Sequence, residues 1–488
     1  MTHTSDSTDP ATTHGAHVPR GLTGPAVDAP GRGRFGRMFP CLPVRVLSDK
    51  ALEALVEKLL DVSAGVNPNE DIPAGYTYLG QFVDHDLTFD PSSLGQKSGD
   101  PQAIVDFRTP RLDLDSVYGS GPSDQPYLYE WTDERDRGVK LLVEQVQAAP
   151  APYCDLPRNA QGRAVIGDPR NDENLIVAQL HLLFMRFHNA VVDCVRCEEG
   201  LAGPALFRRA QQIVRWHYGW IVTHDFLGRV AGRDLARGLV DAAVTGEGDG
   251  RRCFRWDGEP FMPVEFSGAA YRFGHSMVRP GYNVNSPDVG FPILPLSPTK
   301  LGLRGLRRLP PELVIDWRLF FAIGDDPPQR PQPSMRIDTT IATRLFELPG
   351  DIGTDGQPQL PRLNLLRARR LRLPAGPDVA RAMGIEPLDA AGLRLQDIGC
   401  PKIREELLAA APLWYYVLCE AQALHEGRQL GPVGGRIVAE VLVGLLEGDP
   451  ASYVHASPAW RPTLERAAPD DFTMSDLVRF THPEYRRA

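Results

Sequence analysis

Gly80-Gln81-Phe82-Val83-Asp84-His85-Asp86-Leu87-Thr88-Phe89-Asp90-Pro91 is the stretch that orders the rest of the chain. An amide, a carboxylate, an imidazole and a second carboxylate follow one another between Gln81 and Asp86, interleaved with Phe82, Val83, Leu87 and Phe89. That interleaving predicts a helix dipping into a core and not a solvated loop. A carboxylate carried into a core needs a cation or another partner, so Asp84 and Asp86 each demand one. Taken alone, the stretch also reads as an acidic helix end with an incidental histidine.

The chain has 488 residues, enough for a large core, and a formal net charge of −9. No basic block stands out, which excludes nucleic acid as a partner. The seven cysteines, at 41, 154, 194, 197, 253, 400 and 419, are odd in number and scattered, so they form no disulfide framework. Cys194 and Cys197 make a CxxC inside a helical pattern, without a second such pair to complete a metal site. Residues 1–34 are rich in Thr, Gly, Pro, Asp and His and read as a disordered tail, with His3, His14 and His17 solvated. This tail has no apolar core of a secretory signal, and no apolar run reaches the roughly 18 residues that span a bilayer. The expectation is a cytoplasmic protein without a membrane span, export by a signal-independent route remaining open.

Further along, Leu47–Val62 has helical periodicity with Ser48 as N-cap. Residues 90–107 read as a surface loop over the central stretch. Arg108-Thr109-Pro110-Arg111-Leu112-Asp113-Leu114-Asp115-Ser116 alternates carboxylates with leucines, which sends both carboxylates to one side of an extended backbone. Such hard oxygen groups suit Ca²⁺, although the spacing is not that of an EF-hand. Asp168-Pro169-Arg170-Asn171-Asp172-Glu173 is a polar opening to an apolar helix from Asn174 to Cys197. His181 and His188, seven residues apart, stand roughly 10.5 Å apart on one helix face, too far to share a metal, and read as packing groups or as supports to a site. His217 and His224, in the helix Phe207–Phe226, take the same reading. Phe266–Val278, Leu313–Ile323 and Ile337–Phe346 are expected to be helical, as are two segments within 412–448 that close the core. Residues 127–146 read as strand and loop, and 377–399 as a small helical region.

Five motifs in chain order, Gln81-x-x-Asp84-His85-Asp86, Leu112-Asp-Leu-Asp115, Arg170-x-x-Glu173, Arg272-Phe-Gly-His275 and Leu363-Asn364-x-x-Arg367, resemble those of the animal-type haem peroxidases of the peroxidase–cyclooxygenase superfamily. The resemblance covers about 79–446 and points to a bacterial member. It implies a mainly α, large single-domain haem peroxidase fold with little β-structure over residues 35–488. It implies His85 as the distal base, with Arg170 stabilising charge on the departing oxygen and Gln81 ordering water or halide. His275 would be the axial ligand to haem iron, with Asn364 accepting its Nδ1 proton and Arg272 and Arg367 at the cofactor. Asp84 and Glu173 match the carboxylates that form ester bonds to haem methyl groups. Asn174 stands where members with a sulfonium link have Met, so that link is excluded. The calcium ligands would be Asp86, Thr109, Arg111 through its carbonyl, Asp113 and Asp115. After Arg367 the chain departs from the family pattern, running Ala368-Arg369-Arg370-Leu371-Arg372.

The implied cofactors are a haem b derivative, ester-linked, and Ca²⁺. The implied partners are hydrogen peroxide and a small electron donor, either a phenol or a halide or thiocyanate. Oligomeric state is not legible. Two rivals remain. A fatty-acid dioxygenase of the same superfamily would need a radical Tyr three residues before the proximal His, where this chain has Arg272; Tyr271, one residue further back, is expected to point elsewhere. A non-catalytic, calcium-stabilised binding protein would need an incomplete haem site, and both motif sets read as complete.

Overall fold

The longest helix among the described residues, Leu175–Glu199, is an axis against which helices Gly75–Leu87, Gly203–Trp220 and Met474–Thr481 pack. Asn174 starts it by accepting the Ile176 amide, and Gly200, at φ 66°, ends it in the left-handed conformation that glycine adopts freely. Its length and apolarity would suffice to cross a bilayer, but 83% of its most apolar window is buried inside the protein, as in the core helix of a globular fold. In the computed structural model, residues 35–60, 67–88, 110–148, 152–248, 250–295, 301–324, 330–348 and 358–487 are described. The predicted tail and the 90–107 loop lie outside the described residues.

Helix Gly75–Leu87, which carries the central stretch, and helix Gly203–Trp220 both pack on this axis. The three meet in an aromatic knot. Phe82 stacks on Phe184 at 4.8 Å between centroids, and Tyr218 stands edge-on to both at 6.2 and 5.5 Å. Offset and edge-on pairs of this kind add about 1 kcal/mol each beyond the area they bury. Helix Gly75–Leu87 is anchored at its start, where the Gly75 amide donates to the Phe320 carbonyl at 3.0 Å. A Cβ at Gly75 would sit 2.6 Å from that carbonyl, so only glycine permits the approach.

The architecture is mainly α-helical, with four two-stranded sheets among the described residues. They act as straps. Pro68–Pro73, just before the anchored helix, pairs antiparallel with Pro333–Met335, and Phe35–Gly36 pairs parallel with Met262–Pro263. Helices Leu413–His425 and Pro432–Glu447 close the core as the sequence predicts. The first predicted helix forms as Asp49–Leu59, with the Ser48 hydroxyl accepting the Ala51 amide at 3.2 Å.

Four expectations are corrected. The Phe207–Phe226 helix passes at Ile221 into a π-helical turn, Ile221–Phe226, that sequence periodicity does not register. There Asp225 accepts from Tyr76 at 2.7 Å, Arg229 at 2.8 Å and the Met474 amide at 3.0 Å. Phe266–Val278 is not one helix. A short helix, Val264–Gly268, breaks at Ala269 (φ −140°, ψ −73°) into a 3₁₀ turn, Ala270–His275. Leu313–Ile323 holds only the 3₁₀ turns Pro311–Leu313 and Trp317–Leu319. Ile337–Phe346 forms one 3₁₀ turn, Thr343–Leu345. In that segment β-branched residues disfavour helix, and the Asp338 carboxylate takes the Thr340 amide at 2.7 Å, an alternative to helical bonding.

Between the two closing helices, the buried Glu420 carboxylate accepts the Val433 and Gly434 amides at the start of Pro432–Glu447. Burial pushes its pKa up from 4.5 to about 7, against those hydrogen bonds. The folded chain therefore keeps a proton that the unfolded chain releases between these values. Stability from this group is greatest below pH 4.5 and falls as pH rises to 7, by about 3 kcal/mol in all. Urea denaturation of Glu420→Gln across this range should show that this part of the slope is gone.

Candidate functional site

Gln81, Asp84 and His85 fall on one face of helix Gly75–Leu87 by their three- and four-residue spacing. That face forms one wall of a cavity of about 260 Å³. Glu173 and Asn174 line it from the segment that opens the long helix. Tyr271, Arg272, Gly274 and His275 line it from the 3₁₀ turn, and Val278, Ile293, Leu294, Leu345, Leu348 and Leu360 add an apolar side. The structure thus brings Gln81, Asp84, His85, Glu173, Arg272 and His275 around one space.

His85 is buried, and its Nδ1 donates to the Asn171 Oδ1 at 2.7 Å, leaving Nε2 as the acceptor. Burial first, then the nearby Arg170 charge, pushes its pKa down to about 4, against Asp168 and Asp84, so the imidazole is neutral. Asn171 in turn donates from Nδ2 to His181 Nδ1 at 3.0 Å. Sequence reasoning missed Asn171. Its one signal was a buried amide's position next to Arg170, which spacing alone does not distinguish from a turn residue.

Arg170 pairs with Asp168 at 2.7 Å, and its Nη2 donates to the His85 carbonyl at 2.8 Å. Its guanidinium stands behind the His85 backbone, and Arg170 is not among the cavity-lining residues. The turn that carries it is held hard. Arg158, fully buried, bridges Asp155 and Asp172, each at 2.9 Å. Main-chain bonds from Gly305 to Glu173 (2.9 Å), Leu306 to Asp172 (2.6 Å) and Leu175 to Leu303 (2.8 Å) lace the turn to a distant loop. A Cβ on Gly305 would lie 1.9 Å from the Asp172 carbonyl, so the loop passes only as glycine.

On the opposite wall, Arg272 and His275 are three residues apart in a 3₁₀ turn and so eclipse each other. Because the turn is 3₁₀ and follows the break at Ala269, Tyr271 lines the same cavity, where the sequence expectation had it pointing elsewhere. Its hydroxyl lies 4.0 Å from where a Cβ on Gly80 would be. Asn364 does meet His275, at 2.9 Å, but through its Nδ2, while its Oδ1 accepts from Arg367 at 3.4 Å. The expected order, Asn364 accepting the Nδ1 proton, is therefore reversed, because Arg367 takes the amide oxygen. A half-turn of the amide restores it. Burial, with Arg272 and Arg367, pushes the His275 pKa well down and keeps the ring neutral, as a metal ligand must be.

Three observations fit these residues to haem. Tyr271 Oη and Arg272 Nε are buried with no hydrogen-bond partner. A Cβ on Gly274 would meet nothing within 4 Å, which leaves the turn open to a flat ligand. Two neutral imidazoles, His85 and His275, line the same space.

Beneath His85, the carboxylates of Asp86, Asp113 and Asp115 bring oxygens within 4.8 Å of one another. The loop reaches this arrangement through Leu114 in the left-handed region (φ 56°), a strained state for a branched residue. The Leu114 amide and Ser116 hydroxyl donate to Asp86 at 3.2 and 3.3 Å. Gly167 lets its loop pass, since a Cβ there would lie 2.4 Å from the Ser116 carbonyl. Arg111 turns its guanidinium toward Asp449 at 3.7 Å, and Thr109 lies outside the described residues. Three carboxylates this close repel one another, and a hard divalent cation is the chemistry that fits them.

The model of the family "Animal haem peroxidase" matches residues 92–390, more than half of the chain. The chain belongs to the animal haem peroxidase family. The match begins after His85 and so does not include the Gln81–Asp86 motif. Thyroid peroxidase of Canis lupus familiaris is 27% identical over 303 residues, 57% of this chain and 30% of the relative. That of Sus scrofa is 24% identical over 380 residues, 72% of this chain and 38% of the relative. The chain thus spans about a third of the length of these relatives. Among solved structures, peroxidase A from Dictyostelium discoideum aligns with a TM-score of 0.60 at 16% identity, over 92% of this chain and 93% of that one. A fatty acid alpha-dioxygenase from Arabidopsis thaliana aligns with a TM-score of 0.63 at 16% identity, over 94% and 78%. The expectation of a bacterial member is corrected, since the named relatives come from animals, plants and an amoeba.

Arg158→Ala should cost 3–5 kcal/mol, at about that order, because it strands two buried carboxylates; chemical denaturation reads this loss. Were Asp86, Asp113 and Asp115 to hold Ca²⁺, its chelation would lower the melting temperature by a few degrees, the effect of losing about 3 kcal/mol of ligand linkage. In Asp113→Asn/Asp115→Asn the same chelator should leave the melting temperature unchanged.

Proposed function

We propose that this family member is a haem-dependent peroxidase that reduces hydrogen peroxide and oxidises small phenols, or a halide or thiocyanate. What supports the reading best is the pair of neutral imidazoles, buried His85 and half-buried His275, lining one cavity. His275 would hold haem iron, and Asp86, Asp113 and Asp115, with Thr109 and the Arg111 carbonyl, would hold Ca²⁺. Haem, when bound, supplies the electrons for peroxide reduction and recovers them from the donor. The chain's own task is proton movement. His85 Nε2 takes the proton from one peroxide oxygen and delivers it to the other, which departs as water. Gln81, one turn earlier, orders water or halide at the same wall. The Arg170 charge stabilises the departing oxygen through the field it sets behind His85, its own geometry being fixed by Asp168. Asp84 and Glu173, which both line the cavity, would form two ester links to haem methyl groups.

A fatty-acid dioxygenase is the second reading. The buried, unpartnered Tyr271 hydroxyl at the cavity favours it, as does the apolar side formed by Leu345, Leu348 and Leu360. Arg272 at the position eclipsing His275 favours the peroxidase. Oxygen uptake driven by a fatty acid without peroxide would select the dioxygenase.

The purified holoprotein should show a Soret band that stays with the protein on extraction with acidified organic solvent. Haem leaving with the solvent would remove the ester links and keep the peroxidase. His275→Ala should lose the Soret band, whereas His85→Ala should keep it and slow peroxide consumption by a factor of about 10² to 10⁴ in stopped-flow measurements. Peroxide consumption at the wild-type rate in His85→Ala would overturn the distal assignment.

A further inference from the structure

Behind the cavity wall, three buried polar side chains from three elements form a closed line. His85 comes from helix Gly75–Leu87, Asn171 from the 3₁₀ turn Pro169–Asp172 and His181 from the long helix. His85 and Asn171 meet at 2.7 Å, Asn171 and His181 at 3.0 Å. Asn171 and His181 are fully buried, so neither contact exchanges with solvent. An amide between two imidazoles has one oxygen that only accepts and one nitrogen that only donates. Its orientation therefore fixes both rings at once. With Oδ1 toward His85, His85 must carry its proton on Nδ1 and present Nε2 bare, and His181 must present a bare Nδ1. With the amide reversed, His85 Nδ1 would be bare and its Nε2 would carry the proton, leaving it unable to accept one.

The geometry points to Asn171 as the positioning residue that keeps His85 in the tautomer with a free Nε2, and to His181 as the acceptor that takes the proton of the Asn171 amide nitrogen. Neither touches the cavity; both act through His85. The Asn171 backbone cannot drift, because the Arg158 bridge and the Gly305 contact lock the residues beside it. Phe82, one turn of helix before His85, packs edge-on to the His181 ring at 6.0 Å and limits its rotation. The role assigned to His85 rests on the peroxidase reading, but the tautomer does not.

The test has a spectroscopic arm and a kinetic arm. Long-range ¹H–¹⁵N correlation on holoprotein labelled with ¹⁵N-histidine in the ferrous carbonyl form, assigned by the signals missing in His85→Gln and His181→Gln, reads the tautomer of each ring. His85 protonated on Nδ1 and His181 on Nε2 is the expected result. His85 protonated on Nε2 overturns the inference, even if peroxide is consumed. In the kinetic arm, Asn171→Leu should keep its Soret band and its rate of donor oxidation while the peroxide-consuming step slows about tenfold to a hundredfold. His181→Phe should slow the same step, and Asn171→Leu/His181→Phe should be no slower than Asn171→Leu alone. A wild-type peroxide rate in haem-loaded Asn171→Leu overturns the positioning role. If the wild-type holoprotein consumes no peroxide yet shows the stated tautomers, the peroxidase reading fails and the tautomer assignment stands.

Discussion

Helix Gly75–Leu87 is buried on almost every side and still carries Gln81, Asp84, His85 and Asp86. A core has no water to satisfy such groups, so every element packed on this helix must bring a partner or leave a hole. The 168–174 turn brings Asn171 and the Arg170–Asp168 pair, the 112–116 loop brings the carboxylates and amides around Asp86, and the 270–275 turn faces the opening across which Gln81, Asp84 and His85 look. The aromatic knot of Phe82, Phe184 and Tyr218 supplies the apolar half of the same arrangement.

What the sequence made legible follows from this. Polar groups at helical spacing inside an apolar pattern are conspicuous, so the Gln81–Asp86 wall and the helices Leu175–Glu199, Leu413–His425 and Pro432–Glu447 could be read from periodicity. The acidic loop could be read from its carboxylates, although Leu114 in the left-handed region, and not an extended alternation, brings Asp113 and Asp115 together. Segments whose conformation is set by distant contacts could not. The break at Ala269 leaves no periodic trace, and it moves Tyr271 onto the cavity. The π turn at Ile221–Phe226 adds one residue per turn that composition does not reveal. Ile337–Phe346 looked helical by its apolar spacing, yet β-branched residues and the Asp338 side chain hold it open. Asn171 was invisible for another reason: an amide between two histidines is a property of three elements in space, and no window of sequence contains all three.

The two walls of the cavity also differ in how they are fixed. The His85 wall is held by charge and main-chain bonds, through Arg158, Asp172 and the Gly305 loop. The His275 wall is held by a short turn, the Trp414 indole on the Arg272 carbonyl at 3.1 Å, and an amide whose orientation Arg367 governs. Rigidity is therefore concentrated on the wall that carries His85, the group proposed to receive a proton. On the other side, a half-turn of the Asn364 amide would suit a metal held by His275.

The lacing of 172–175 to 303–306 has a consequence in time. These strands of backbone are far apart in the chain, and a contact of that separation is closed only after the intervening helices have been made and packed. During synthesis the long helix and its neighbours can assemble while the segment bearing Asn171 still lacks its clamp, and the turn bearing His275 emerges only afterwards. The pocket is consequently among the last parts of the molecule to acquire its shape. A large, flat ligand of this cavity, such as the haem proposed above, would therefore enter late in folding and would not template it.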